Sequence, residues 1–199
     1  MSDGMTSEIK REIEASMAVK GAVLNDSLMI EQVRSLVNVC LQSLKAGGKI
    51  IFAGNGGSFA DAQHLSAEFT SRFQFDRAPL ASLALGTNNS TNSAIGNDYG
   101  YQQVFSRELA AIAKPGDVFI PITTSGNSGN IVAAIETAKA QGIATVCLTG
   151  QTGGKVRALC NCICVPSTDT ARIQECHIML GHIICGLIER IYFQRGEAI

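Results

Sequence analysis

Five short apolar runs, each followed by a stretch long enough for a helix, constrain the fold of this chain more than any other feature. The runs are KIIFAG (49–54), LASLAL (80–85), DVFIPI (117–122), ATVCLT (144–149) and CICVP (162–166). Short runs without polar alternation are typical of strands buried on both faces of a parallel sheet. This βαβ rhythm predicts an α/β fold, a doubly wound five-stranded parallel sheet flanked by helices.

Helical periodicity fills the stretches between these runs and also precedes the first of them. The predicted helices span 58–72, 88–96, 101–113, 129–141 and 169–193, with a weaker turn at 153–159. Residues 6–46 place apolar groups three and four positions apart and are followed by Gly47-Gly48, which predicts two leading N-terminal helices. We therefore expect one domain over 1–199, with leading helices at 1–46, an α/β core at 47–193 and a tail at 194–199.

The composition excludes two classes of partner. The formal net charge of -1 and the 17% of charged residues provide no basic surface for nucleic acid or anionic lipid. No apolar run approaches the roughly 20 residues that span a bilayer, so no membrane association is expected. The seven cysteines are an odd number, lack a C-x-x-C pair and follow a polar N-terminus, which predicts a reducing, cytoplasmic location.

Two loops rich in glycine and hydroxyl groups follow the first and third runs, GNGGS at 54–58 and TTSGNS at 123–128. Each leads from a predicted strand into a predicted helix, whose free N–H groups favour an anion. Neither loop has the lysine of a P-loop or the G-x-G-x-x-G spacing of a dinucleotide site. The favoured ligand is a sugar monophosphate held by neutral donors, and simple helix capping is the alternative.

A polar stripe follows the first loop. Asp61, His64 and Glu68 are spaced so that a helix places them along one stripe, with His64 and Glu68 about 40° apart. Two side chains at that spacing can hold one cation. The alternative is an ordinary surface contact between His64 and Glu68.

The last predicted helix carries a second polar group within an apolar sequence, where an unpartnered polar side chain costs free energy. Its members are Gln174, Glu175, His177 and His182. Helical geometry aligns Glu175 best with His182, and a buried histidine with ordinary hydrogen bonds is the alternative for His177 and His182. The residues alone do not choose ligands among these four.

Four segments carry a resemblance to a known family, in the same order and with similar spacing. They are GNGGSFADAQHLSAEF, SAIGNDYGYQQVFSR, TTSGNSGNIVAAI and VPSTDTARIQECHIMLGHIICGLIE. From the leading helices to about residue 192 the chain resembles the phosphoheptose isomerases of the sugar isomerase (SIS) domain family. The resemblance implies the SIS fold, a homotetramer that buries the leading helices, and conversion of sedoheptulose 7-phosphate to D-glycero-D-manno-heptose 7-phosphate. This isomerisation is the first step towards ADP- or GDP-heptose precursors of bacterial lipopolysaccharide or capsule.

Carried over position by position, the resemblance also implies a site. One zinc ion per subunit would be held by His64, Glu68, Gln174 and His182. Substrate contacts would fall on Asn55, Gly56, Gly57, Glu68, Asn97, Asp98, Thr123, Thr124, Ser125, Ser128 and Gln174. Because the resemblance selects Gln174, we expect the site to be gathered from neighbouring helices or subunits, with Glu175 directly behind the ligands. The family commonly has Ser-Thr-Ser where this chain has Thr-Thr-Ser at 123–125, a change that keeps the hydroxyl.

The implied chemistry needs a base that removes a proton beside a carbonyl and a group that moves protons between two oxygens. Glu68 suits the carbon base, and His182 suits the oxygen transfer because imidazole titrates near neutral pH. A carboxylate bound tightly to zinc is a poorer base, so Glu68 as ligand, base or both stays a hypothesis. Asp61, Asp98 and Asp169 are further candidates for binding sugar hydroxyls, with solvated or capping roles as the alternative.

Two other functions stay open. A non-catalytic tetrameric SIS binding protein of the DnaA initiator-associating type would share the fold, but it has no need for the four implied zinc ligands together. Another SIS isomerase, acting on a hexose or N-acetylhexosamine phosphate, would share the phosphate loops. Only the motif of the last helix and GNDYG at 96–100 favour the heptose.

Overall fold

The sheet of the computed structural model, which describes residues 2–194, confirms the predicted α/β architecture. Its strands are β1 (Ile50–Gly54), β2 (Ser82–Ala84), β3 (Val118–Thr123), β4 (Ala144–Gly150) and β5 (Asn161–Val165). All neighbours pair in parallel, in the order β2-β1-β3-β4-β5. β1 and β3 are buried at every position, as strands covered on both faces require.

Seven α-helices are described, with limits within a few residues of those predicted inside the core. They are α1 (Ser2–Leu24), α2 (Ser27–Lys45), α3 (Gly57–Thr70), α4 (Asn89–Tyr99), α5 (Val104–Ile112), α6 (Gly129–Ala140) and α7 (Thr170–Tyr192). The predicted helix at 101–113 begins as a separate 3₁₀ turn, Tyr101–Gln103. Apart from Gln194, the predicted tail lies outside the described residues. In the part of the chain described, no helix has the length and apolarity needed to cross a membrane.

Two hydrophobic cores lie on opposite faces of the sheet. Phe52 and Ile120 belong to the core that includes α2, α3 and α7. Their sequence neighbours Ile51 and Phe119 point the other way and pack with α5 and α6. Successive strand residues thus bury their side chains on alternate faces, which is the arrangement that a doubly wound sheet requires.

The strand order reverses between β1 and β3, and this point positions the two loops. Gly54 at the end of β1 pairs with Ile122 near the end of β3. Open α/β sheets bind ligands outside the carboxyl ends of the strands, where the order reverses. The glycine-rich loop before α3 and the hydroxyl-rich loop before α6 therefore open side by side at this edge.

One face of α1 packs near α7 and another leaves an apolar stripe exposed. Ser16 and Lys20 contact a carboxylate of α7. The exposed stripe consists of Met5, Ile9, Ile13 and Met17, at four-residue intervals, with exposed fractions of 55–69%. A continuous apolar stripe of this kind is typical of a surface that binds another protein surface.

Candidate active site

The loops after β1 and β3 are joined by a reciprocal pair of amide hydrogen bonds. Asn55 donates from Nδ2 to Oδ1 of Asn130, and Asn130 donates from Nδ2 to Oδ1 of Asn55, both at 2.9 Å. The Tyr101 hydroxyl also donates to Asn55 Oδ1, at 3.0 Å. Because Asn130 is buried at the start of α6, the pair fixes the spacing between the two loops.

Close approaches and backbone geometry require glycine in the first loop. Gly56 has a φ of +56°, a conformation that favours glycine. A β-carbon at Gly57 would lie 2.8 Å from Nε2 of Gln174, so this α7 amide lies directly on the loop. Three of the predicted substrate contacts, Gly56, Gly57 and Gln174, therefore meet at the start of α3, where helix N–H groups are free.

The second loop presents hydroxyl groups to a cleft. Thr123 is buried, and its Oγ1 lies 3.3 Å from Oγ of Ser128. Thr124 and Ser125 line a cleft of about 230 Å³ beside this pair. Other hydroxyl residues of the cleft are Thr152, Ser167, Thr168 and Thr170. The loop thus combines neutral donors in the way that the sequence predicts for a phosphate.

α3 and α7 run side by side, and a glycine lets them touch. A β-carbon at Gly181 would lie 2.6 Å from both δ-carbons of Leu65, so a larger residue at this position would push the helices apart. His64 directly precedes Leu65 in the sequence, and His182 directly follows Gly181. His64 of α3 and His182 of α7 therefore face each other.

His64, Glu68 and His182 meet between these helices. The Nε2 atoms of His64 and His182 lie 2.8 Å apart, and Glu68 Oε1 lies 3.2 Å from His64 Nε2. One of the two nitrogens carries a proton when the imidazoles share a hydrogen bond, because two lone pairs repel each other. The i, i+4 contact predicted between His64 and Glu68 is present.

This group suits a divalent cation. Its three donor atoms lie within 4.8 Å of one another, and imidazole nitrogens with a carboxylate oxygen are ligands of catalytic zinc sites. The side chains of His64 and Glu68 are 50% and 16% exposed, so solvent or a substrate can reach the group. Burial raises the pKa of nearby Asp61, and the attraction of His64 and His182 opposes that rise. The residues present therefore fit the zinc ion that the family resemblance implies.

Gln174 and Glu175 point to different sides of α7. Gln174 lies on the first loop, about two turns before His182. Glu175 faces α1 instead: its Oε2 accepts from Ser16 Oγ at 2.6 Å and lies 3.6 Å from Lys20 Nζ. The expectation that Glu175 stands behind the ligands is wrong, because one residue along a helix turns the side chain by about 100°.

Other predicted residues lie apart from the histidine pair within this chain. Asn97 and Asp98 are exposed on α4, a helix without buried residues, and Asn97 Nδ2 donates to Asp98 Oδ1 at 2.8 Å. Asp169 caps α7 and accepts from the backbone N of Ala171 at 2.8 Å, which is its alternative role. His177 is fully buried with Nε2 at 3.2 Å from the carbonyl oxygen of residue 149, and burial lowers its pKa to about 4. It is a neutral core histidine, but its hydrogen bonding is incomplete, because the buried Nδ1 has no hydrogen-bond partner among the described residues.

Sequence reasoning missed two residues that contact this group, Phe73 and Arg77, and a third, Glu189, that contacts both of them. The Phe73 ring stacks on the His182 ring, with 5.5 Å between centroids and 14° between planes. Arg77 donates to the backbone carbonyl of Glu68 and pairs with Glu189. Glu189 could have been noticed because it places a charge inside the apolar segment GLIERIYF (186–193). Phe73 and Arg77 belong to no pattern of spacing that would have identified them.

The arrangement can bind an anion and transfer protons at separate points. His64 lies seven residues after Gly57, about 10 Å along α3. A ligand whose anionic end is held at the loops can therefore place its other end near Glu68 and His182. A carboxylate and an imidazole at that end are the usual groups for general acid–base catalysis.

Comparisons with known proteins agree with this geometry. The SIS domain family model matches residues 22–150. A phosphoheptose isomerase from Aneurinibacillus thermoaerophilus is 52% identical over 191 residues, 96% of each chain. The solved phosphoheptose isomerase of Neisseria gonorrhoeae superposes with a TM-score of 0.87 at 38% identity, covering 93% of this chain and 98% of that one. The phosphoheptose isomerase structure from Francisella tularensis gives a TM-score of 0.88 at 32% identity, over 94% and 98%.

Proposed function

The chain belongs to the SIS domain family, and we propose that it is an aldose–ketose isomerase converting sedoheptulose 7-phosphate to D-glycero-D-manno-heptose 7-phosphate. The observation that carries the chemistry is the meeting of His64, Glu68 and His182 between α3 and α7. The choice of substrate rests on the near full-length likeness to phosphoheptose isomerases.

The sugar phosphate binds at the two loops. The start of α3 and the hydroxyls of Thr123, Thr124, Ser125 and Ser128 offer neutral donors to the phosphate, with no lysine required. The reciprocal pair of Asn55 and Asn130 holds the loops at a constant separation. The phosphate and the reacting carbonyl are at opposite ends of a heptose 7-phosphate, which suits the distance between the loops and the histidine pair.

Proton transfer takes place near the histidine pair. Glu68 removes the proton from the carbon beside the carbonyl and returns it to the neighbouring carbon, through a cis-enediol. His182 moves a proton between the two oxygens. Zinc, held by His64, Glu68, Gln174 and His182, would supply a Lewis acid that polarises the carbonyl. Gln174 also reaches the first loop and so connects the two ends of the site.

The proposal extends to assembly and location. The chain forms a single SIS domain, and the exposed α1 stripe is buried in a homotetramer. Asn97 and Asp98, exposed on α4, contact the substrate that is bound by an adjoining subunit. Seven free cysteines support a reducing, cytoplasmic location.

The direct test is turnover. Purified protein of measured zinc content is incubated with sedoheptulose 7-phosphate, and formation of the aldose is followed by NMR. Absence of conversion, with and without added zinc, contradicts the proposal and favours the non-catalytic binding function. Faster conversion of a hexose or N-acetylhexosamine phosphate would instead identify another sugar isomerase.

Variants test the residue roles. Glu68→Gln and His182→Ala should each lower kcat at least about a hundredfold, the usual scale for an acid–base group. Glu136→Gln, on an exposed position of α6, provides the matched control and should keep the wild-type kcat. Near-normal turnover in both site variants would exclude these roles.

A further inference from the structure

The 71–81 loop, which joins α3 to β2, is fastened to α7 by a buried carboxylate. Glu189 is 1% exposed and lies seven residues after His182, on the same stripe of α7. Its Oε1 accepts from the backbone N of Phe73 at 2.9 Å, and its Oε2 accepts from the backbone N of Gln74 at 2.7 Å. One side chain of the helix that carries His182 thus holds two backbone groups of the loop.

Arg77 fastens the same loop to the end of α3. Its Nε donates to Glu189 Oε1 at 2.9 Å, and both side chains are at most 3% exposed. Its Nη2 donates to the backbone carbonyl of Glu68 at 2.6 Å, and its Nη1 donates to that of Phe69 at 2.7 Å. The last carbonyls of a helix lack partners within the helix and attract a cation. Arg77 satisfies them on the turn that carries Glu68.

Phe73 is the contact between this loop and His182. Its ring lies nearly parallel to the imidazole, while His182 Nε2 faces His64. Gly186, one turn after His182, makes room for the loop: a β-carbon there would lie 3.3 Å from Phe73 Cε1 and 3.0 Å from Gln74 Nε2. The imidazole of His182 is therefore bounded by His64 at one nitrogen and by Phe73 on one ring face.

We propose that Phe73, Arg77 and Glu189 are positioning residues for the isomerase proposed above, forming a clamp that orients His182 and the backbone of Glu68. Arg77 and Glu189 act through the loop and the end of α3, and Phe73 acts through its ring. A displacement of about 1 Å in a catalytic group can cost a hundredfold in rate. The phosphate loops lie at the other end of α3, so the clamp affects kcat more than KM.

The test compares two phenylalanines of one loop. Phe73→Leu removes the ring from His182, whereas Phe75→Leu removes an equally half-buried ring that packs on Phe193, with 6.3 Å between centroids. Phe73→Leu should lower kcat at least about tenfold with KM changed less than about twofold, and Phe75→Leu should keep the wild-type kcat. Phe73→Tyr, which retains a flat ring, should restore kcat.

A second measurement needs neither turnover nor metal. The chain has three histidines, so NMR of metal-free, histidine-labelled protein can follow the His182 ring signals separately. Loss of the stacked ring in Phe73→Leu should shift these signals, and Phe75→Leu should leave them unchanged. A kcat of Phe73→Leu equal to that of Phe75→Leu would overturn the proposal whatever the His182 signals, because loss of the stacked ring shifts those signals even if the imidazole does not move. If the wild-type protein has no isomerase activity but the His182 signals still change in Phe73→Leu, the proposed function is refuted. The contact by which Phe73 positions His182 is then still supported.

Discussion

Replacement of Glu189 by glutamine tests how strongly the buried pair with Arg77 stabilises the fold. Glu189 accepts one hydrogen bond from Arg77 and two from backbone N–H groups, all between 2.7 and 2.9 Å. Glutamine keeps the size and one acceptor oxygen, but its amide nitrogen then faces a donor. The substitution leaves Arg77 charged at 3% exposure without its counter-charge.

The expected loss follows from that burial. Removing one partner of a buried ion pair costs about 3–5 kcal/mol. Arg77 keeps its hydrogen bonds to the carbonyls of Glu68, Phe69, Ser71 and Ala78, which places the estimate at the lower end, about 3 kcal/mol. For a chain of this length, that corresponds to a fall in Tm of roughly 6–12 °C.

Urea unfolding followed by circular dichroism measures the loss, at one fixed protomer concentration because assembly shifts apparent stability. Glu31→Gln is the control, since it breaks the ion pair with Arg34 at an exposed site, where the solvent screens the charges. Its midpoint should stay close to that of the wild type. A Glu189→Gln midpoint equal to that of Glu31→Gln, at an unchanged m value, would refute the reasoning.

Three further predictions concern packing, pH and assembly. Gly181→Ala should lower the free energy of unfolding measured in urea by about 1–3 kcal/mol and should also lower kcat. Adding Leu65→Val, which removes both δ-carbons, should restore part of the stability and part of the kcat. If the second substitution restores neither, the packing argument is wrong. The lowered pKa of His177, about 4 against an ordinary 6.5, means that stability falls as the pH drops from about 6.5 towards 4. His177→Gln should therefore lose less stability than the wild type between pH 7 and pH 5, and equal losses would disprove this cause. Ile13→Glu on the α1 stripe should reduce the mass of the assembly measured by light scattering, whereas the control Glu14→Gln at the neighbouring position should not. An unchanged mass for Ile13→Glu would show that the stripe is not part of the interface.

The fold was predictable because its signals are local. Apolar runs of strand length, broken by amphipathic stretches and by Gly47-Gly48, reflect burial on both faces of a parallel sheet. The strand order follows from pairing between distant segments, which no local pattern specifies. The sequence also does not distinguish the 3₁₀ turn Tyr101–Gln103 from the start of α5, since both keep apolar groups three or four apart.

The site was predictable only where its spacing lies within one helix. His64 and Glu68 are four apart and do make contact, whereas Glu175 was misplaced because alignment with His182 on one helix says nothing about where α3 packs. The contact between Leu65 and Gly181 decides that packing. Phe73, Arg77 and Glu189 act through tertiary contacts between a loop and two helices, and such contacts leave no periodic signal.

The reciprocal amide pair makes the residues at positions 55 and 130 depend on each other whenever segments are exchanged between related proteins. Asparagine at both positions supplies one donor and one acceptor in each direction, so a change at Asn55 alone leaves buried amide groups of Asn130 unmatched. A chimera that takes its first loop from one relative and α6 from another should therefore keep the loops aligned only where its residues at 55 and 130 still form a matched pair. Loop libraries aimed at new sugar phosphates need to vary Asn55 and Asn130 together, with Tyr101 as the third member of the set.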